Sequence, residues 1–348
     1  MFKQVVRIWL DEGEREGRLS VLNEEERQRL VDRYAEKLEE IFQEEVLKQM
    51  AFRGKKRGLR APARLRQPVR REVPEPGHSG LPSVPVGNFC PGERNHPRRR
   101  ELMDIVFLGT NGWYDSKTGN TISILIRSEE FDVVLDAGYG IAKLYRHTVP
   151  GRNTFLFLSH FHLDHIAGLH TLCKFRFERL TLCGPVGTRA VIDTIMNQPF
   201  TLSFKDLPYP AAAYELPEER DGIPFSVETK PLVHTSLTLG YRFRFASGTV
   251  AYCPDTGYCE NAVLLAAGAD LLITECSHLT GQSNEAWPHL NPETAARIAA
   301  EAGAKRLVLA HFDAERYASI AAREEAQAVA RRIFPSSFAA VDDMTIAI

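Results

Sequence analysis

No apolar run in this chain of 348 residues approaches the ~20 that a membrane-spanning helix needs. The N-terminus, MFKQVVRIWLDEGERE, has too short an apolar stretch for a secretory signal and turns acidic at once. Cysteine is scarce too. Cys90, Cys173, Cys183, Cys253, Cys259 and Cys276 show no paired framework, which argues against a disulfide scaffold and for a reducing compartment. These deficits lead us to expect a cytoplasmic protein with no membrane contact. The hydrophobic fraction of 44% is enough for a sizeable core.

Acids are nearly missing from one stretch. Residues 51–100 hold 13 Lys/Arg and only 3 acids, whereas 101–348 hold 21 Lys/Arg and 29 acids. A body that acidic is a poor general RNA binder, because phosphate contacts dominate affinity. The basic run RGKKRGLRAPARLRQPVRR has no periodicity and reads as a disordered linker, with nucleic-acid contact as the alternative. Before it, Asn23 followed by three glutamates starts a helix. Leu30, Tyr34, Leu38, Ile41 and Met50 form a partial apolar stripe on that helix. One amphipathic helix cannot bury its own face, so it needs the body, a partner, or a second copy in a homodimer.

What the chain does have is a dense ligand cluster. The segment SHFHLDHIAGL carries His160, His162, Asp164 and His165 within six residues. Imidazole and carboxylate are the groups that zinc and its neighbours prefer. The preceding TFLFL reads as a buried strand, so the cluster sits at a strand's C-terminal end. His160 and His162 can point one way while Asp164 and His165 reach another, so one loop could feed two ions. Further candidates lie at other strand ends: His234 in PLVHTSLTLGYRF, Asp255 in TVAYCPDTG and His311 in KRLVLAHFDAERY. Open α/β architectures place sites at such edges. Each alone is more often a hydrogen-bonded structural residue; their joint occurrence with the first motif points to a metal site.

These motifs resemble the metallo-β-lactamase fold superfamily, and within it the tRNase Z and phosphodiesterase branch. The resemblance covers residues 103–348. It rests on IVFLGTNGWYDSKTGNTISILI, VVLDAGYG, SHFHLDHIAGL, the three later candidates, and His289 in PHLNPETAARIAAEAGAKRLVLAHF. It implies an α/β fold: a four-layer αββα sandwich, preceded by a helical, partly disordered extension. It implies that His160, His162 and His234 hold one metal, that Asp164, His165 and His311 hold a second, and that Asp255 bridges them. The cofactor implied is two zinc ions per chain, with manganese as the alternative. His162 stands where flavo-diiron relatives carry a carboxylate, which argues against a redox di-iron centre. His289, Glu275 and Asp164 are the catalytic residues implied. In that branch the accessory histidine donates a proton to the leaving alkoxide, and Glu275 matches the glutamate that orients it.

The residues agree with that reading. Three imidazoles leave an open position, as catalytic zinc requires. Asn291-Pro292 is a helix start, which puts His289 just outside a helix N-terminus. Twenty residues separate His234 from Asp255 and read as a strand pair, where tRNase Z enzymes carry a long tRNA-gripping arm. The expected activity is therefore phosphodiester hydrolysis on a small nucleotide or RNA, resembling tRNase Z without its arm. The alternatives are carbon-ester, thioester or lactam hydrolysis on the same fold, and tRNA 3′-end cleavage. His278 reads as surface, Cys253 as sharing the strand face of Asp255, and Trp287 as either a stacking or a packing residue.

The domains expected are a helical extension at 1–50, a basic Arg/Pro-rich linker at 51–102 and the catalytic body at 103–348, with Met103 a candidate true start. Strands are expected near 104–109, 121–127, 132–136, 154–159, 180–184, 240–246, 249–254, 270–275, 306–310 and 339–347. Helices are expected after His165 and near 186–197, 292–302 and 315–333.

Overall fold

A computed structural model describes residues 23–33, 103–220 and 222–348. The chain divides into two units, Met1–Pro91 and Gly92–Ile348. In the first, residues 24–33 are helical. Asn23 Oδ1 accepts from the Glu26 N–H at 2.9 Å, and Glu26 Oε2 accepts from the Asn23 N–H at 3.2 Å. This reciprocal pair is a capping box. The rest of the expected extension, the basic linker and Cys90 lie outside the described residues.

The second unit carries fifteen strands among the described residues. They are β1 Asp104–Gly109, β2 Asn111–Gly112, β3 Ser123–Arg127, β4 Phe131–Leu135, β5 Asn153–Phe157, β6 Arg179–Gly184, β7 Ala211–Glu215 and β8 Ser226–Pro231. After them come β9 Leu239–Arg244, β10 Thr249–Cys253, β11 Leu271–Glu275, β12 Leu307–Ala310, β13 Phe312–Asp313, β14 Ser337–Ala339 and β15 Thr345–Ala347. One sheet runs β15-β1-β3-β4-β5-β6-β7 and the other β14-β12-β11-β10-β9-β8, while β2 and β13 form a small parallel pair. The helices are α1 Leu163–Ile166, α2 Thr188–Ile195, α3 Glu260–Ala266, α4 Pro292–Glu301 and α5 Ile320–Arg331.

Alternation along the strands builds three apolar layers. Ile105 and Phe107, Val133 and Leu135, and Phe155 and Phe157 point into the space between the sheets. There they meet Tyr241, Phe243, Val250, Tyr252, Leu271 and Ile273 of the second sheet. The intervening residues Val106, Leu108, Val134, Leu156 and Leu158 face outward and pack with Ile166, Leu169 and Ile192. On the other side Ala251, Leu272 and Leu309 pack under Leu265, Ala295, Ile298 and Ala326 of α3, α4 and α5. Strands covered on both faces need near-continuous apolar runs, and these strands have them. The result is helix, sheet, sheet, helix: the expected four-layer αββα sandwich.

Several elements differ from expectation. The tail expected as one strand at 339–347 is two strands, one in each sheet, so the chain crosses the sandwich between them. The polar break Val341-Asp342-Asp343 makes that crossing; Asp343 adopts a left-handed φ of 66°. Strands β7 and β8 and helix α3 were not foreseen. β7 (AAAYE) is mostly alanine, a weak strand former, and β8 (SVETKP) is mostly polar; both are edge strands whose ladders come from β6 and β9. The segment between His234 and Asp255 contains the antiparallel hairpin β9–β10, as its sequence indicated. Among the described residues no helix is long and apolar enough to cross a membrane.

Candidate metal centre

Parallel pairing sets the site. β4, β5, β6 and β7 run parallel, as do β10, β11, β12 and β14, so the carboxyl ends within each set lie on one edge. His160 follows β5, and His162 stands at the N-terminus of α1, whose single turn carries Asp164 and His165. His234 follows β8, Asp255 follows β10, Glu275 ends β11 and His311 follows β12. His311 adopts φ 48°, the break that turns the chain from β12 into β13. A Cβ on Gly112 would lie 2.5 Å from the His311 ring, so this close approach requires glycine.

The structure brings all seven candidate ligands together in two groups. Ligand atoms of His160, His162, His234 and Asp255 lie within 4.8 Å of one another, as do those of Asp164, His165 and His311. Asp255 faces both. Its Oδ2 lies 3.9 Å from His160 Nε2 and 3.7 Å from His234 Nε2. Its Oδ1 lies 3.1 Å from His165 Nε2 and 3.3 Å from His311 Nε2. Asp164 Oδ2 completes the second group, 3.1 Å from His311 Nε2.

Hydrogen bonds on the far side of four of the rings orient them. The Ser159 hydroxyl spends its proton on Asp136 Oδ2 at 2.9 Å, so at 2.9 Å from His160 Nδ1 it accepts. The Ser277 hydroxyl donates to the His311 carbonyl at 2.9 Å, so it accepts from His311 Nδ1–H at 3.1 Å. His165 Nδ1–H donates to Asp136 Oδ2 at 2.9 Å, and His234 Nδ1–H donates to the Pro288 carbonyl at 3.3 Å. Four imidazoles therefore turn their Nε2 atoms toward common points. His162 Nδ1 lies 3.3 Å from His234 Nε2, and His165 Nε2 lies 3.0 Å from His311 Nε2. Ring nitrogens at that range need a shared proton or a cation between them; without a cation, the surrounding carboxylates outweigh burial and raise His165 and His311 above the ordinary imidazole pKa. His160 Nε2 and Asp255 Oδ1 are buried with no hydrogen-bond partner among the described residues. Buried polar atoms are rarely left so. This donor set of nitrogens, carboxylates and orphaned atoms fits divalent metal.

The electrostatics follow the same division. Burial and the neighbouring imidazoles hold His160 well below its ordinary pKa, so it is neutral, as a ligand must be. Burial likewise lowers His162 and His234. Burial alone would raise Asp255, but His311 and His165 outweigh it and hold the carboxyl well below the usual range. Asp164 is lowered in the same way: His165 and His311 overcome its burial.

His289 sits beside the cluster, with a ring nitrogen within 4.8 Å of ligand atoms of Asp255 and His311. Its Nδ1–H donates to Glu275 Oε1 at 2.6 Å. Glu275 is itself held by the Thr256 N–H at 2.7 Å and the Ser277 N–H at 3.0 Å. Burial opposes charge on His289, but the Glu275 carboxylate outweighs it and lifts the imidazole to about 9. Just beyond, Asn291 and Thr294 form the capping box of α4, with Pro292 at its start.

Two readings need correction. His278 is buried, not surface; its Nδ1 lies 3.1 Å from Arg316 Nη1 and its ring meets His289 edge-on at 5.7 Å. Cys253 does not share the face of Asp255: it packs in the outer layer beside Ala262, and burial pushes its thiol well up, so no thiolate joins the centre. All five described cysteines are free. Asp136 was missed. Its signal was the aspartate of VVLDAG at the end of β4, the same strand-end position that singled out the ligands. It accepts from His165, from the Ser159 hydroxyl and amide, and from the Tyr252 hydroxyl at 2.6 Å.

A two-sheet sandwich with a histidine–aspartate cluster at its strand ends defines a metal-dependent hydrolase. The chain belongs to the β-lactamase superfamily: the Beta-lactamase superfamily domain profile matches residues 132–312. Ribonuclease Z of Methanothermobacter thermautotrophicus is 29% identical over 303 residues, covering 70% of this chain and 96% of that protein. The crystal structure of the metallo-beta-lactamase fold protein YhfI from Bacillus subtilis matches at 23% identity and TM-score 0.59, covering 71% of this chain and 100% of the other. The short form of human tRNase Z matches at 26% identity and TM-score 0.55, covering 70% and 98%. The chain is thus a ribonuclease Z-like, metal-dependent hydrolase that binds divalent metal.

Proposed function

We propose that this protein is a dinuclear phosphodiesterase acting on small nucleotides or RNA ends. The observation that carries it is Asp255, whose two oxygens each face a separate group of ring nitrogens. In this reading His160, His162 and His234 would hold one ion, Asp164, His165 and His311 would hold the other, and Asp255 would serve both groups. Nitrogen-rich ligation favours zinc, with manganese as the alternative. Bound ions supply Lewis-acid stabilisation of phosphoryl charge and an acidified water nucleophile.

The chain's own groups do the rest. The cavity beside the ligands has a volume of about 300 Å³ and is lined by Trp113, His162, Asp164, Trp287, His289 and His311, among others. That is the lower end of the range for small-molecule sites. Protonated His289 faces this cavity and donates its free Nε2 proton to the departing oxygen, while Glu275 holds the ring in place. A poor leaving group such as a ribose alkoxide needs that proton. Asp164, which lines the cavity together with Asp255, is the carboxylate that would accept a proton from incoming water. Support for a small substrate comes from the His234–Asp255 interval, where the hairpin β9–β10 leaves no length for a tRNA-gripping arm.

Free buried cysteines and the lack of a long apolar helix among the described residues fit a cytoplasmic setting. In the same reading residues 1–50 and 51–102 are appendages to a catalytic body at 103–348. The test is a parallel assay of the metallated protein on bis-p-nitrophenyl phosphate, a thioester, a β-lactam and a tRNA precursor. Preference for the small diester is expected. Faster turnover of the thioester or lactam, or efficient position-specific cleavage of the tRNA precursor, would replace this reading with one of its alternatives.

A further inference from the structure

The chain contains three tryptophans, Trp9, Trp113 and Trp287, and two of them meet at the mouth of the metal cavity. Their rings are near-parallel, with centroids 5.7 Å apart and planes 16° from parallel. Trp287 stacks in turn on His162, at 6.0 Å and 6°. Three aromatic planes thus form one column running outward from the ligands. Its outer member, Trp113, is 56% exposed, and Leu163 beside the cavity is 72% exposed. Large apolar side chains clustered at a cavity mouth mark a binding surface.

Trp113 is also held in an unfavourable conformation. Its φ is 69°, a left-handed value uncommon for a bulky residue. Its N–H donates to Asp164 Oδ2 at 2.7 Å, which ties the strained residue directly to the site. Strain that persists beside a site points to a use. A second hollow of about 480 Å³ adjoins the first, and Trp113 and Trp287 line both. The outer hollow adds Tyr114, Asn284, Asp313 and Arg316. One chamber thus holds ligands for a phosphate's metals; the other combines flat aromatic faces with amide, carboxylate and guanidinium groups.

We infer that the outer hollow is a nucleobase subsite: the base next to the scissile phosphate stacks on the Trp113–Trp287 pair, and the polar groups of the hollow meet its edge. The inference rests on the phosphodiesterase reading for the identity of the inner chamber. Aromatic faces accept every base, so the subsite selects nucleotides over simple diesters more than one base over another. It also explains how an enzyme without an RNA-gripping arm can hold a nucleotide: by one base.

The test uses the full chain and two substrates with the same leaving group, thymidine 5′-(p-nitrophenyl phosphate) and methyl p-nitrophenyl phosphate. The ratio of their kcat/KM values isolates the nucleoside. Trp113→Ala should lower that ratio about 5- to 150-fold, the range of base–aromatic stacking, mainly through KM. Trp113→Phe should retain most of it. In parallel, AMP should quench tryptophan fluorescence of the metal-free protein, ribose 5-phosphate should not, and Trp113→Ala should abolish the difference. An unchanged ratio in Trp113→Ala, or equal responses to AMP and ribose 5-phosphate, would overturn the subsite. If neither diester is cleaved, the phosphodiesterase reading fails and the fluorescence comparison decides the subsite alone.

Discussion

The two walls of the cavity are built on opposite plans. On the ligand wall four chemically active side chains are held from behind: His165 by Asp136, His160 by Ser159, His311 by Ser277, His289 by Glu275. Every one of these groups is buried. At the cavity mouth Trp113 and Leu163 stand in solvent, and Trp113 is placed by its backbone and by one aromatic neighbour. Fixed groups serve chemistry, whose geometry tolerates little error. Exposed, loosely supported rings serve recognition. The comparison predicts that changes on the ligand wall affect all substrates, whereas changes on the tryptophan wall affect some.

The largest effect belongs to the ligands. His162→Ala should lose metal and abolish hydrolysis of alkyl and nitrophenyl diesters alike, while the unsubstituted protein holds two ions per chain by elemental analysis. A single ion per chain, unaffected by Asp164→Ala, would remove the dinuclear proposal. The next effect is selective. His289→Ala should lower kcat about 10²–10⁴-fold on substrates with alkoxide leaving groups and little on nitrophenolate, which departs without a proton. Its metal content should not change. Equal losses across leaving groups, or a missing ion, would make His289 a ligand or positioning residue instead of the acid. A smaller effect tests the support behind the wall. Asp136→Asn keeps the shape but withdraws the charge that His165 faces. Metal affinity should fall about 10- to 100-fold in chelator competition, with the relative rates on different substrates retained. A change in substrate preference without a change in affinity would contradict the division between walls.

How much of this was legible in the sequence depends on how local each feature is. The His160–His165 loop was legible because its spacing is set within one loop after one strand. The inner strands were legible because residues such as Ile105, Val106, Phe107 and Leu108 are apolar on both faces, which a two-sided burial demands. Asp136 was not, because its meaning comes from His165, 29 positions away, and Tyr252, 116 away. Edge strands β7 and β8 escaped because tertiary pairing overrode weak local preference. Trp113 escaped because no local pattern announces a left-handed tryptophan in the loop NGWYDSKTGN. His278 was misread because a histidine in a polar loop segment gives no sign that Arg316, 38 positions later, will fold over it.

The smallest expected effect concerns the residues that precede Met103 in the sequence. The body closes on itself through its own ends: β1 pairs with β15, the Met103 N–H donates to the Ile348 carbonyl at 3.3 Å, and the Ile348 N–H donates to the Met103 carbonyl at 2.9 Å. Met103 is buried between the sheets with Ile105 and Phe107, so the layer that supports the ligand strands begins at this residue. None of the seven candidate ligands, nor His289, Glu275, Trp113 or Trp287, precedes it in the sequence. A chain beginning at Met103 should therefore fold, bind the same metal, and keep its kcat/KM on small diesters within about two-fold, since changes at independent sites leave each other's energetics intact; a larger loss would show that the preceding residues are not independent. Its thermal midpoint and metal content should match those of the full chain. If that shortened chain is insoluble or inactive, residues before 103 are part of the enzyme. The body at 103–348 would then not be an independent unit.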